Sequence, residues 1–207
     1  MATVRSHAVT LDSSAADPVE IDADLVARVQ QGDTVAFTAL YRRYAPRVYG
    51  YAAWRLGGRE AAEDATQVVF MRVATSLRTC RDGHAFGGWL FAIARNVVSD
   101  AQRARMRSGG SLAVEFDAVD PDPSPEEHLL AAEAGEELRA ARERCLNPGE
   151  RELFDLLLTD LNDKEIAAVL GKRHGAIRTA HWRLLTKLRR CFEHLLAARG
   201  GGRHEIA

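Results

Sequence analysis

Arg95, Ser99 and Gln102 recur at spacings of four and three residues, with Met106 on the same face and Arg103 beside them. On a helix these side chains share one side, and Arg105 and Arg107 crowd its C-terminal end, where cations suit the helix dipole. Guanidinium, hydroxyl and amide groups in such an array suit a polyanion, DNA above all. A second basic set, Lys172, Arg173, His174, Arg178, Thr179 and Arg183, lies near the C-terminus. A third, Arg78, Thr79 and Arg81, sits in a polar, glycine-containing stretch just ahead of Phe86, Trp89 and Phe91. Cations next to aromatic rings can hold unstacked single strands, although the spacing of Phe86 and Trp89 equally fits core packing. An ordinary amphipathic surface helix would show the same face as Arg95–Arg103, so the rest of the chain decides.

The sequence offers no catalytic constellation. It has no phosphate-cradling glycine loop, no HExxH and no GxSxG, and the Glu126–Glu127 pair reads as charge at a helix start. No catalytic residue, cofactor or metal ligand is assigned. Cys191 and His194 lie three apart without a second ligand pair of zinc-site spacing. Cys80, Cys145 and Cys191 are few, odd in number and far apart, which suggests a reducing cytosol rather than a disulfide framework. There is no basic-then-apolar leader, and no apolar run approaches the ~18 residues of a membrane span, so the expected location is cytoplasmic without membrane insertion.

The formal net charge of −1 hides a pattern. Residues 21–108 hold 13 Lys+Arg against 8 Asp+Glu; residues 109–138 hold 9 acidic residues and no basic one; residues 139–207 hold 14 basic against 9 acidic. Two basic modules are joined by an acidic connector.

Helical periodicity must position these residues. Residues 1–20 are polar and Pro-interrupted, expected to be a disordered tail. Residues 21–108 form an N-terminal helical domain. Asp24 is expected to cap a short helix to Gln31, and Asp33 the next, with Phe37, Leu40, Tyr41 and Tyr44 inward. Pro46 is expected to interrupt that helix or start another, which Gly57–Gly58 ends. A helix over about 60–77 turns Ala62, Ala65, Val69, Phe70, Val73 and Leu77 to a core and groups Asp64, Gln67 and Met71 on another side. The helix from Phe86 to Arg107 buries Phe86, Trp89, Leu90, Ile93, Val97 and Ala101. Residues 109–124 read as an extended acidic linker. Residues 125–196 form the C-terminal domain. Ser124-Pro125-Glu126-Glu127 starts a helix to about Cys145, Asn147–Glu150 starts one that carries Leu153, Phe154, Leu157 and Leu158, and Asn162–Glu165 is a capping box. Its short helix, with Ile166, Ala167, Val169 and Leu170, meets Gly171, then a longer helix from near Gly175 with Ile177, Ala180, His181, Leu184 and Leu188 inward. Trp182, at the flank, is expected to pack against the core. Short helix, glycine turn and basic longer helix make a helix-turn-helix, and residues 197–207 a flexible tail. The expected class is all-α: two helical domains joined by an acidic linker, the C-terminal one a helix-turn-helix.

Asp64-Ala65-Thr66-Gln67-Val68-Val69-Phe70, then Trp89-Leu90-Phe91-Ala92-Ile93-Ala94-Arg95-Asn96-Val97-Val98-Ser99-Asp100, then the C-terminal helix-turn-helix, resemble an extracytoplasmic-function (ECF, group IV) sigma factor of the sigma-70 family. The Asp33 to Arg47 stretch, with AFTALYRRYAPRV, is similar to the family's opening helices, and the likeness covers about residues 22–107 and 140–192. The resemblance implies a protein that binds core RNA polymerase, directs it to promoters and helps melt DNA without itself catalysing a reaction. It implies that Asp64, Gln67, Phe70 and Met71 dock polymerase. It implies that Arg78, Thr79 and Arg81 capture a flipped base of the minus-ten element, and that Arg95, Ser99, Gln102 and Arg103 lie along minus-ten DNA. Lys172, Arg173, His174, Arg178, Thr179 and Arg183 would read the minus-thirty-five element, bases and phosphates undivided. An anti-sigma factor is an implied partner, and the acidic connector would thread basic polymerase channels. The chain departs from the family at Val69 (often glutamate), Ala180 (often basic), His181 (often leucine) and the Gly87–Gly88 pair. Two other readings stay open: a self-sufficient helix-turn-helix repressor or activator, which would bind duplex tightly without polymerase, and a helical adaptor that touches no DNA.

Overall fold

Among the described residues the fold is made of eight α-helices, and no strand occurs. The computed structural model describes residues 21–107 and 125–200, with side chains in the second stretch described from 134 to 193. The expected tail 1–20, the acidic linker 109–124 and the last residues, 201–207, lie outside the described residues. The helices are α1 Asp22–Gln30, α2 Thr34–Leu56, α3 Arg59–Ser76, α4 Phe86–Arg107, α5 Pro125–Cys145, α6 Pro148–Leu157, α7 Asp163–Leu170 and α8 His174–Gly200. Two 3₁₀ turns, Leu77–Thr79 and Gly83–Ala85, bridge α3 to α4.

Local chemistry explains most of the boundaries. Asp33 caps α2 by accepting from the Val35 and Ala36 amides at 2.8 and 3.1 Å. Asn147 and Asn162 each form a complete capping box, with Glu150 and Glu165 returning the bond. Gly171 ends α7 at φ 62°, a left-handed conformation that costs glycine nothing and lets the chain turn into α8.

Several expectations change. Asp24 caps nothing: α1 begins at Asp22, with Ile21 at the cap position. Asp22 is drawn to α2 instead, accepting from Tyr44 and from Arg43 Nη1. Pro46 neither breaks nor starts a helix, since α2 runs through it. Pro46 and Arg42 are exposed, so water can serve the Arg42 carbonyl that loses its donor, while buried Tyr44 and Val48 anchor both sides. On α6 the buried face is Leu153, Phe154, Asp155 and Leu156, and Leu158 is exposed. Trp182 is 69% exposed rather than core, because α8 points Ile177, Leu184 and Leu188 inward and turns Trp182 with Leu185 to solvent. Residues 197–200 continue α8 rather than opening a tail.

One apolar core runs through both halves. It joins Leu40, Val48, Phe86 and Phe91 of the first four helices to Phe154, Leu156, Ile166 and Ile177 of the last four. The closest seam is where α4 starts against α7: a Cβ on Gly88 would stand 3.2 Å from the Glu165 carbonyl oxygen, and one on Gly87 would stand 2.5 Å from Glu165 Oε1. The glycine pair that departs from the family pattern thus lets two helices approach each other.

Candidate functional site

On α3, Asp64, Gln67 and Met71 all face solvent, as their spacing requires, while Phe70 is buried and meets Tyr41 edge-on with ring centroids 4.7 Å apart. Gln67, Phe70 and Met71 line a largely apolar groove of about 1010 Å³ between α2 and α3, with Tyr41, Pro46 and Tyr49 opposite. Polar rims around an exposed apolar trough suit an amphipathic partner. Val69 is fully buried, so the missing glutamate belongs to a position that here faces the core.

The stretch between α3 and α4 is braced from α1. Gln30 Nε2 donates to the carbonyls of Leu77 and Cys80 at 3.2 and 3.0 Å, and Gly83 lies so close to Ala23 that a Cβ would be 2.5 Å from its Cα. This holds Arg78, Thr79 and Arg81 exposed, and Asp82 caps the next turn by accepting from the His84 amide at 3.0 Å. Phe86 is fully buried and Trp89 half-buried, so the Phe86 ring belongs to the core.

Along α4, the expected polyanion face is only partly open. Arg103 is exposed and pairs with Asp100, and Ser99 is half-buried. Arg95 Nε instead donates to Glu152 Oε1 of α6 at 2.6 Å, and that carboxylate holds the guanidinium charged beyond its usual range. Gln102 is taken up by α2: its Oε1 accepts from Arg55 Nη2 and its Nε2 donates to the Arg55 carbonyl, both at 2.8 Å. Of the four, Arg95 and Gln102 are engaged by α6 and α2, Arg103 is paired on its own helix, and Ser99 is half-buried.

Sequence reasoning missed the centre of this seam. Asp155 is fully buried between the halves. Arg142 of α5 donates to both its oxygens at 2.6 Å, Trp54 Nε1 at 2.8 Å and Arg55 Nη1 at 3.1 Å, both from α2. Burial works against the Arg142 charge, but Asp155 and Glu143 hold its pKa above the ordinary arginine value. Arg139 stacks over Trp54, 4.7 Å from the ring centroid, and Arg47 donates twice to the Thr159 carbonyl at 3.0 and 2.6 Å. The available signal was Asp155 itself, a charge amid Leu153–Leu158 on the face predicted to be apolar.

On α8, Lys172, Arg173 and His174 lead in, and Arg178, Thr179 and Arg183 follow, all exposed. His181 is half-buried, and its Nδ1 lies 2.7 Å from Asp163 Oδ1, tying α8 to the first turn of α7. Lys187 donates to Glu150 at 2.6 Å, tying α8 to α6. A braced helix with cations on its first turns is suited to a groove lined by phosphates and base edges. Cys145 and Cys191, which the sequence analysis left unpaired, form a disulfide between α5 and α8, with Cα atoms 6.5 Å apart; Cys80 is free and buried. Among the described residues no group of acidic, histidine and cysteine side chains could hold a metal, and no helix is long and apolar enough to cross a membrane.

The sigma-70 region 2 family model matches residues 40–108. The chain is 35% identical over 185 residues to the ECF RNA polymerase sigma factor ShbA of Streptomyces griseus, covering 84% of this chain and 96% of that protein. It is 38% identical over 170 residues to the ECF RNA polymerase sigma factor BldN of Streptomyces coelicolor, covering 81% of this chain and 64% of BldN, so it spans a little under two thirds of that relative. Among solved structures, CnrH in complex with the cytosolic domain of CnrY matches with a TM-score of 0.62 at 22% identity, covering 84% of this chain and 97% of that one. The sigma factor RpoE in complex with the anti-sigma factor NepR, from Bartonella quintana, matches with a TM-score of 0.56 at 22% identity, covering 76% and 96%. These two share the fold.

Proposed function

The chain belongs to the ECF RNA polymerase sigma factors, and from that premise we propose that it docks core RNA polymerase, directs it to minus-thirty-five and minus-ten promoter elements and assists strand opening. In this reading it is a group IV member of the sigma-70 family, acts in the cytoplasm and catalyses no reaction itself. The observation that carries the reading is the exposed cationic start of α8, set by the Gly171 turn on the short helix α7. In this reading residues 125–196 are the helix-turn-helix domain, and Lys172, Arg173, His174, Arg178, Thr179 and Arg183 meet minus-thirty-five duplex. Asp64, Gln67, Phe70 and Met71 with the α2–α3 groove receive polymerase. Arg78, Thr79 and Arg81 meet the melted strand, and Ser99 and Arg103 the adjoining duplex. Arg95 joins them once α6 has drawn away from α4, and Gln102 once it exchanges its Arg55 partner on α2 for DNA. CnrH and RpoE are each seen with a partner, CnrY and NepR, which supports an anti-sigma factor as a partner of this chain as well.

The test is run-off transcription with core polymerase on a library of promoter fragments. Transcripts that require the chain, and that fall at least tenfold with Asp64→Arg/Gln67→Ala, are expected. Tight operator binding by the chain alone, with no stimulation of polymerase, would overturn the reading in favour of a self-sufficient repressor or activator.

A further inference from the structure

We propose that Cys145 and Cys191 are a reversible redox-modification site whose disulfide locks the C-terminal helices against the N-terminal ones. The proposal rests on the sigma-factor reading only for its effect on transcription; the chemistry stands without it. The two cysteines are 46 residues apart in sequence, yet α5 and α8 bring their Cα atoms to 6.5 Å, inside the range a disulfide spans. Both side chains are half-buried, so a small oxidant or a reductase can reach them, whereas Cys80 is buried and takes no part. A structural staple is the usual role of a disulfide in an oxidising compartment; in a cytoplasmic protein such a pair is typically transient and redox-sensing.

The position of the pair gives the bond its effect. Arg139, Arg142 and Cys145 follow one another at intervals of three along α5. Arg139 lies on Trp54 of α2, Arg142 grips Asp155 beside Trp54 and Arg55, and Cys145 is joined to α8. One helix therefore ties the cationic helix α8 to the α2 surface, and the sulfur bridge is its only covalent anchor on α8. With the bond closed, α5 cannot leave α8, so α8 can move away from α2 only if Arg139 leaves Trp54 and the Arg142–Asp155 pair leaves Trp54 and Arg55 as well. With the bond open, α8 can move without carrying α5, so the α5 contacts with α2 no longer restrain it.

The oxidant is a peroxide. One thiolate attacks the O–O bond, giving a sulfenic acid and releasing hydroxide, which leaves as water; the second thiol displaces the sulfenic oxygen, forming the S–S bond and a second water. The two sulfurs lose two electrons, and the peroxide gains them. A dithiol reverses the step by exchange, leaving as its own disulfide.

The experiment uses the full chain, treated with hydrogen peroxide or dithiothreitol, and then thiol-blocked. Mass spectrometry should show the loss of two hydrogens, a cross-linked peptide pair containing Cys145 and Cys191, and full reversal by dithiothreitol. Cys145→Ser and Cys191→Ser should each abolish the pair. Hydrogen exchange of the α6 amides, which lie against α2 and α4, should slow at least threefold on oxidation in the natural sequence and not in either variant. Run-off transcription should fall at least threefold on oxidation and be indifferent to peroxide in the double serine variant. Absence of the cross-linked peptide overturns the site. A cross-link that changes neither α6 exchange nor transcription overturns the lock. If the reduced chain drives no transcription at all, the sigma-factor reading fails, while the mass and exchange measurements still judge the redox site.

Discussion

Replacing Asp155 with alanine removes the acceptor for four donor groups at once. The Arg142 guanidinium loses both its bonds, and Arg55 and Trp54 lose one each. The arginine side chains are only 16% and 14% exposed, so water replaces the carboxylate poorly. Removing one member of a buried, hydrogen-bonded ion pair costs about 3–5 kcal/mol, mostly because a charge is left without compensation. A chain of this size loses roughly 2–4 °C in Tm per kcal/mol, so Asp155→Ala should melt about 6–20 °C lower. Asp155→Asn keeps the volume and one acceptor oxygen, and should cost about half as much. Urea unfolding measured by far-ultraviolet circular dichroism gives the free energy, and a double-mutant cycle with Arg142→Ala isolates the pair. The double variant should be less destabilised than the sum of the single ones. A loss below about 1 kcal/mol for Asp155→Ala, with no coupling to Arg142, would refute the reasoning, because that is the cost of a surface pair.

Three further outcomes follow from the same geometry. Gly88→Val should lower the melting temperature by several degrees or separate α4 from α7, seen as faster amide exchange in α7, because its Cβ already stands 3.2 Å from the Glu165 carbonyl. The Lys187 hydrogen bond and the Asn147 amide hold the Glu150 pKa below its ordinary value of 4.5, so its contribution is present above that value and is lost as pH falls through the folded pKa. Glu150→Gln should therefore lower stability at neutral pH and flatten the acid limb below about pH 4.5 in a pH series of urea midpoints. Arg178→Ala and Arg183→Ala, assayed as holoenzyme on promoter DNA across a salt series, should each weaken binding; a phosphate contact shows as a salt slope shallower by about 1, and a base contact as relaxed sequence preference.

Most of the elements were legible because many of their boundaries are written in local chemistry, although Asp24 and Pro46 pointed to boundaries that α1 and α2 do not have. Asp33, Asn147 and Asn162 are caps that any reader of the sequence can find, and Gly57 and Gly171 mark helix ends. The exposed faces were legible for the same reason: the spacing of Asp64, Gln67 and Met71 fixes a common side whatever the helix packs against. What periodicity could not supply is which faces meet. Arg95 and Gln102 read as a DNA face because their acceptors and donors, Glu152 and Arg55, are 57 and 47 residues away. Asp155 interrupts an apolar pattern, and an interruption of that kind on a buried face signals a partner of opposite charge, but it does not say which one. Trp182 failed in the opposite sense, since size and hydrophobicity argued for burial while its register on α8 turned it outward.

The seam that covers α4 is built so that separation exchanges partners rather than abandoning them. On opening, Asp155 keeps Arg142, because α5 and α6 are on the same side, and both oxygens stay bound at 2.6 Å. The groups released are Arg47, Arg55, Arg95 and Trp54, all from α2 and α4. Three of them are guanidiniums, which phosphate oxygens satisfy as well as a carboxylate or a carbonyl does. Half-exposed pairs such as Arg95–Glu152, at 35% and 30%, contribute about 0–1 kcal/mol, so a nearby phosphate is enough to take Arg95 over. The ring contact of Trp54 with Phe154 and the apolar core that joins the two halves have no such replacement in DNA. The net cost of opening therefore falls on apolar area, and only a partner with an apolar surface of its own can offset it. In the sigma-factor reading polymerase is that partner, and promoter DNA alone should leave the seam shut.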